Sequence, residues 1–457
     1  MAISAARKIA FEVLRRVEEE AAYASDLLHA ELGAKVKAAD AGLATELVLG
    51  VLRWRRLLDF LLERQLKKPV ARLDLAVALA LRMGLYQLRF LQRVPARAAV
   101  NESVELVKRA RKTSAATLVN AVLRKAGGEA RVSAAEFVPK DIAAAERLGI
   151  LHSHPTWMVE RWLARFGAER TVGLLEANNR APRLSCALHD LARRAEILES
   201  LRGAGLRVEP GLILQSAFAV SGGSPSRTGT FRNGAISIQD EASQVVPLLL
   251  GVRAGERVLD MCAAPGGKTP TLARAAGDGL VVAADRHGHR LRAMREQFKR
   301  LRLRGVRLVE LDATVRLPFG VTFDRILVDA PCSGSGTLAR HPEIRWRLQP
   351  ESLGEFHGLQ VALLKSGLER LAVGGRLVYS TCSLEAEENE MVVEEVLRDS
   401  RGVRRLEGRE LALGLDDAVV SGVDSKRLFD RAGCFRTLPG VERTDGFFAV
   451  GFARVQN

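Results

Sequence analysis

From about residue 230 onward the chain alternates short apolar runs with amphipathic stretches, and this rhythm restricts it to one class of fold. The runs are RVLDMCAAP, GLVVAADR, VRLVELDA, FDRILVDAP, GGRLVYSTC and GFFAVGFARV. Brief apolar runs bounded by turn residues read as buried strands. Strands that alternate with helices build a mostly parallel sheet covered on both faces. Such sheets bind ligands at the carboxyl ends of their strands. Here those ends carry Asp260, Asp285, Asp312, Asp329 and Cys382. Turn capping explains any one of these acids. Acids closing four successive strands point to a site.

Earlier in the chain the period is helical. ARKIAFEVLRRV sets Ile9, Ala10, Val13, Leu14 and Val17 on one face, and LDLAVALALRMGLYQLRFL is apolar enough for a central helix. Residues 131–150 read as a connector. SHPTWMVERWLARFG resumes helix, with Pro155 suited to a first turn and Gly167 to a stop. RLSCALHD, RRAEILESLRGAG and LRVEPGLILQSAFAV follow as strand, helix and strand, a small α+β module ending near Gly229. A chain of 457 residues exceeds one hydrophobic core. The expected organisation is therefore multidomain: an all-α part (1–130), a linker with a small α+β module (131–229), and an α/β Rossmann-like part (230–457).

Charge and cysteine usage narrow the partners. The net charge is +15, and residues 1–140 hold 25 Lys and Arg against 15 Asp and Glu. Such a bias suits a polyanion, since each neutralised phosphate releases counterions. The five cysteines are widely spaced, with no CxxC and no histidine pair at metal spacing. Reduced thiols are expected, and no structural metal. Early charges and the lack of a long uncharged run predict a soluble, cytoplasmic protein. No coiled-coil heptads appear, so a monomer is the default.

The glycine loop LDMCAAPGGKT (259–269) invites a phosphate-loop reading, which its spacing refutes. Five positions before Gly267, where Gly-x-x-x-x-Gly-Lys requires glycine, stands Cys262. The dinucleotide fingerprint G-x-G-x-x-G is missing too. What remains is a tight strand-to-helix turn in which Pro265, Gly266 and Gly267 admit a ligand close to the backbone. Asp285, ending the second strand, is placed to hold a ribose diol, and Asp312 to meet an adenine amino group. That is an adenosine pocket without a phosphate cradle, and it fits S-adenosylmethionine.

Two neighbouring strand ends carry thiols, in Asp329-Ala330-Pro331-Cys332 and in YSTCS with Cys382. Methylation of nitrogen uses a polar clamp in this place. Paired thiols point to carbon instead. Cytosine C5 is a poor nucleophile until a thiolate adds to C6 and turns the ring into an enamine. A carboxyl stabilises the proton that N3 gains, and a second group serves the elimination. The residues alone leave open which cysteine attacks, with Cys262 a third candidate.

QDEASQ (239–244), DMCAAPGGKT, DAPCSGSGT with RHPEIRW, STCSLEAEENE and DGFFAV together resemble the RsmB (Fmu, Sun) ribosomal RNA cytosine-C5 methyltransferases. GLYQLRFLQRVPARAAVNESVELVK and LVNAVLRK resemble the NusB-like RNA-binding domain of that family, and SHPTWMVERW and ANN its middle segment. The resemblance implies Cys382 as nucleophile, Cys332 in product release and Asp329 between base and cofactor. It maps the S-adenosylmethionine loop onto Cys262, Ala263, Ala264, Pro265, Gly266, Gly267 and Lys268, with Asp285 and Asp312 completing the pocket. The implied substrate is a cytosine of small-subunit (16S) ribosomal RNA. Pro270 and SCALH depart from the family pattern without touching a catalytic position. Two rival readings are the same chemistry on transfer RNA and a non-catalytic RNA-binding adaptor. The joint presence of both thiols and the acids speaks against the adaptor.

Overall fold

The apolar faces of residues 1–130 converge on a single helical core. Five helices supply most of it: Ala5–Glu20, Ala38–Leu66, Leu75–Phe90, Ala96–Arg109 and Ala116–Gly128. Leu75–Phe90 is the central one and buries every residue from Val77 to Gln87. Its start is fixed by the Asp74 side chain, which accepts from Ala76 N at 3.0 Å. The computed structural model describes residues 3–32 and 36–456, and the chain divides into two compact units. The helical unit is Met1–Ala181 together with Leu338–Arg347. The other is Pro182–Thr337 with Leu348–Asn457.

Two local differences from the sequence reading appear in the helical unit. The connector at 131–150 contains helices Ala134–Phe137 and Ala144–Leu151, consistent with its Ala- and Glu-rich composition. Gly167 stops the helix as expected, with a non-helical φ of 77°, but a second helix begins directly beyond it, so that Thr156–Asn179 is two helices across a kink. The excursion Leu338–Arg347 is anchored by buried polar contacts. Arg345 donates to Ser153 O at 3.0 Å, Asn178 O at 3.0 Å and Asn179 Oδ1 at 2.9 Å. Trp346 Nε1 donates to Leu52 O at 2.7 Å, and Ala24 N donates to Glu343 Oε1 at 3.0 Å.

The second unit begins with a four-stranded antiparallel sheet in the order β2-β3-β1-β4. Its strands are β1 (Leu184–Leu188), β2 (Arg207–Pro210), β3 (Ala217–Ser221) and β4 (Ile236–Ile238). The module thus runs past Gly229, because β4 pairs with β1 through Cys186↔Ile238 and Leu188↔Ile236.

An eight-stranded sheet follows: β5 (Val258–Asp260), β6 (Val281–Asp285), β7 (Val306–Glu310), β8 (Phe323–Asp329), β9 (Leu371–Thr381), β10 (Val403–Arg405), β11 (Phe435–Thr437) and β12 (Phe447–Arg454). The order is β10-β12-β9-β8-β5-β6-β7, with β11 added on β12. Strands β5 to β9 are mutually parallel, while β12 runs antiparallel to β9, so the sheet is mixed. Leu259, Ile326, Val328, Leu377 and Tyr379 are fully buried, as expected of strands covered on both faces. The order reverses at β5, which lies between β6 and β8. Loops leaving β5 and β8 therefore diverge and open a crevice at their carboxyl ends.

Candidate active site

On one side of the crevice, the 261–268 loop joins β5 to the helix Thr269–Ala276, with Pro270 in its first turn. Ala263 N donates to Ala284 O at 2.8 Å, and Gly266 N to Ala263 O at 2.7 Å, folding the loop over the end of β6. Asp285 closes β6. One of its carboxylate oxygens accepts from Ala264 N at 3.2 Å and the other from His287 N at 2.9 Å. Gly266 has φ 92°, and a Cβ there would come within 3.1 Å of Met294 and Phe298. Only glycine fits without strain.

Asp312 lies two residues beyond β7 rather than at its end. Its Oδ1 accepts from the backbone and hydroxyl of Thr314, at 2.9 and 2.6 Å, and these bonds hold its pKa below the usual carboxylate range. It is an acid in a turn, with its second oxygen 3.6 Å from Arg286.

Beneath the loop, Asp260 is buried. Its Oδ2 accepts from Thr269 Oγ1 at 2.8 Å, while Oδ1 has no hydrogen-bond partner among the described residues. Burial pushes its pKa up to about 7, and the neighbouring Asp329 adds to the shift. A glycine cradle that a Cβ would fill, a strand-end carboxylate and an unsatisfied buried acceptor form a donor and acceptor set that fits S-adenosylmethionine.

Across the crevice, β8 and β9 present the groups that carry chemistry. Asp329 ends β8, and each of its oxygens is engaged: Lys268 Nζ donates to Oδ2 at 2.6 Å and Ser380 Oγ to Oδ1 at 2.7 Å. Lys268 thus links the glycine loop to β8, with its ammonium 5.4 Å from the Phe447 ring centroid. Cys382 follows directly on β9. Its sulfur lies 3.3 Å from that of Cys332, and both residues are half-buried. This contact raises the Cys332 pKa well above that of a free thiol, so Cys332 is protonated at neutral pH. Burial does the same to Cys262, which sits in the glycine loop with Asp260 and Asp329 among the charges acting on it. The sulfurs found in contact are Cys332 and Cys382.

What holds the thiols together was not read from the sequence. Glu388, from the STCSLEAEENE motif, is fully buried and bonds the residue after each thiol. Ser333 N donates to its Oε2 at 2.8 Å, and the hydroxyls of Ser333 and Ser383 both donate to Oε1. Gln360 Nε2 donates to Oε2 at 3.0 Å and to Pro331 O at 2.9 Å. Behind this knot the backbones touch: Gly336 N donates to Cys382 O at 2.9 Å, and Gly446 N to Gly336 O at 2.8 Å. The motif itself was visible. Apart from Ser383, its glutamate's partners Gln360 and Ser333, 28 and 55 residues away, carry no local signal.

Known proteins resemble this chain along most of its length. Residues 247–453 match the family model described as 16S rRNA methyltransferase RsmB/F. Residues 4–127 match the NusB family, and 154–225 the ferredoxin-like domain of RsmF/B-like methyltransferases. The probable ribosomal RNA small subunit methyltransferase B of Bacillus subtilis is 33% identical over 97% of both chains. The protein of that name from Synechocystis is 36% identical over 98% of this chain and 99% of its own. The crystal structure of a methyltransferase homologue from Pyrococcus horikoshii covers 69% of this chain and all of its own, with 30% identity and a TM-score of 0.57. Similarity that runs the length of the chain, through the NusB-like, ferredoxin-like and methyltransferase parts alike, makes it a member of the RsmB/F family of S-adenosylmethionine-dependent 16S rRNA methyltransferases.

Proposed function

We propose that the chain methylates C5 of a cytosine in small-subunit ribosomal RNA, with Cys382 as nucleophile, Cys332 in product release and Asp329 at N3 of the base. The observation that carries this reading is the pair of sulfurs 3.3 Å apart at adjoining strand ends, beside the glycine loop. Cys382 adds to C6, and the proton its thiol gives up is balanced by the one N3 gains. Asp329, already gripped by Lys268 and Ser380, keeps acceptor capacity for that N3–H. Residues 262–268, Asp285 and Asp312 would hold S-adenosylmethionine, which supplies an electrophilic methyl when bound. After methylation, C5 loses its proton, the C5–C6 double bond re-forms and the C6–sulfur bond breaks. Cys332 serves this last step: it gives its own proton to the departing sulfur and takes up the one from C5, while N3 gives its proton to solvent, the one proton that each methyl transfer sets free.

Attack on C6 needs a base whose face is open, so the target is unpaired or turned out of its stack. In this reading residues 1–130 grip phosphates, residues 131–229 form a linker and further RNA contact, and residues 230–457 perform the reaction, in a cytoplasmic monomer. The test is methyl transfer from radiolabelled cofactor to purified small-subunit ribosomal RNA and to transfer RNA, followed by bisulfite sequencing. Label in ribosomal RNA at one bisulfite-resistant cytosine is expected. Label confined to transfer RNA, or none, overturns the substrate.

A further inference from the structure

The region between β6 and the end of β7 is the most basic stretch of the second unit, and the active site uses little of it. Residues 286–307 contain nine Lys and Arg against one acid, Glu296. Eight of the nine are exposed: Arg286, Arg290, Arg292, Arg295, Lys299, Arg302, Arg304 and Arg307. Among the described residues, the ion pairs in this stretch are Lys299 with Glu296 at 2.7 Å and Arg286 with Asp312 at 3.6 Å. A merely soluble surface mixes signs, whereas this one, among the described residues, leaves six of its eight exposed cations without an ion-pair partner.

The helix Gly288–Arg300 arranges them. Leu291, Met294 and Phe298 form its buried stripe. At 100° per residue, Arg292, Arg295 and Lys299 fall within about 60° of one another, on one exposed flank beside that stripe. From Arg292 to Lys299 is a rise of about 10 Å, roughly the length over which one strand of a duplex presents three phosphates. Beyond it, Arg295, Lys299 and Arg307 line one groove of about 370 Å³ against β7. β7 is an edge strand of the sheet and pairs, among the described residues, with β6 alone. The ninth cation has a different task. Arg300 donates to Ile236 O at 3.1 Å and stacks 3.9 Å from the Phe231 ring centroid, tying the helix to the small α+β module. Arg227 and Arg232 of that module are exposed as well.

We propose that the outer face of Gly288–Arg300, with the following turn and the β7 edge, is an RNA-contact surface of the catalytic unit. It would take the phosphate backbone of the ribosomal RNA strand flanking the target base. The inference rests on RNA being the substrate. It adds a grip separate from the basic helical part, sequence-tolerant because phosphates carry no base information.

The test compares two triple charge reversals of the full-length protein. One is Arg292→Glu, Arg295→Glu and Lys299→Glu. The other is Arg398→Glu, Arg401→Glu and Arg409→Glu, an equal charge change beside β10 at the opposite edge of the sheet. Binding of transcribed small-subunit RNA is measured between 50 and 300 mM salt, with kcat at saturating RNA and cofactor binding alongside. The patch variant should bind at least tenfold more weakly, with the slope of log affinity on log salt reduced by about two. Its kcat and cofactor binding should be unchanged, and the control variant should stay near wild type. Equal weakening in both variants, an unchanged salt slope, or a defect seen only on assembled subunits and not on naked RNA overturns the proposal. If the wild-type protein binds RNA but methylates none, the substrate reading fails while the slope comparison still decides the surface.

Discussion

Asp260 is the residue at which burial and charge conflict most directly. Its pKa of about 7 lies above the ordinary carboxyl value, so the folded state favours the neutral form. The stability this gives is complete below about pH 4 and is lost as pH rises through about 7, with a slope of at most ~1.4 kcal/mol per pH unit. Asp260→Asn removes the titration. Thermal melts from pH 5 to 8 should show wild type losing more Tm across the range than the variant, and parallel profiles would contradict the assignment. Glu388 is a buried carboxylate with a different role, since it bonds the residues after both thiols. Glu388→Ala should let the sulfurs drift apart and lower kcat roughly 100-fold, the usual effect of misplacing reacting groups by an ångström. KM for RNA should hold and cofactor binding persist. A kcat within twofold of wild type would show that the thiol loops keep their geometry without it.

Among elements, the strand ends were the most legible part of the site. Apolar runs of fixed period locate strands, and parallel topology then brings their last residues to one edge, so Asp260, Asp285, Asp329 and Cys382 could be read from spacing. Asp312 was misplaced by two residues because the run VRLVELDA does not reveal that pairing with β6 stops at Glu310. Gln360 and Glu388 were invisible as partners because helix and loop meet only through tertiary packing. Even the motif glycines have packing reasons that spacing does not express. A Cβ at Gly336 would sit 2.3 Å from Gly446 O and 2.8 Å from Cys382 O, so the Pro-Cys loop and the Thr-Cys-Ser turn meet only across bare backbone. Gly336→Ala should therefore cost more than 2 kcal/mol of stability and reduce methylation at least tenfold, as judged by denaturant melts and initial rates. Near-wild-type values for both would mean that this contact yields easily.

The whole molecule is less separable than its family segments suggest. Leu338–Arg347 lies in sequence between Cys332 and β9, yet it belongs to the helical unit, so the chain passes between the units three times. Nothing in RHPEIRWR marks this, because a basic and aromatic run looks the same on a surface as in a buried junction. Arg345 is fully buried, its pKa pulled down to about 9 by burial, and it is held by carbonyls of residues 153 and 178. Arg345→Ala leaves those acceptors unpaired and should destabilise the helical unit by about 3 kcal/mol. A lowered Tm and faster proteolysis within residues 1–181 would report it. Unchanged melting would mean the excursion contributes little to that unit.

The two sulfurs have unequal duties in the proposed reaction, and trapping experiments on single-cysteine variants separate them. Wild type, Cys382→Ala and Cys332→Ala are incubated with small-subunit ribosomal RNA and S-adenosylmethionine, then run on a denaturing gel. Cys382→Ala should give no methylation and no adduct, and Cys332→Ala should accumulate a slow-migrating covalent protein–RNA species. An adduct that forms without Cys382, or lost turnover without any adduct when Cys332 is removed, would contradict that division of duties.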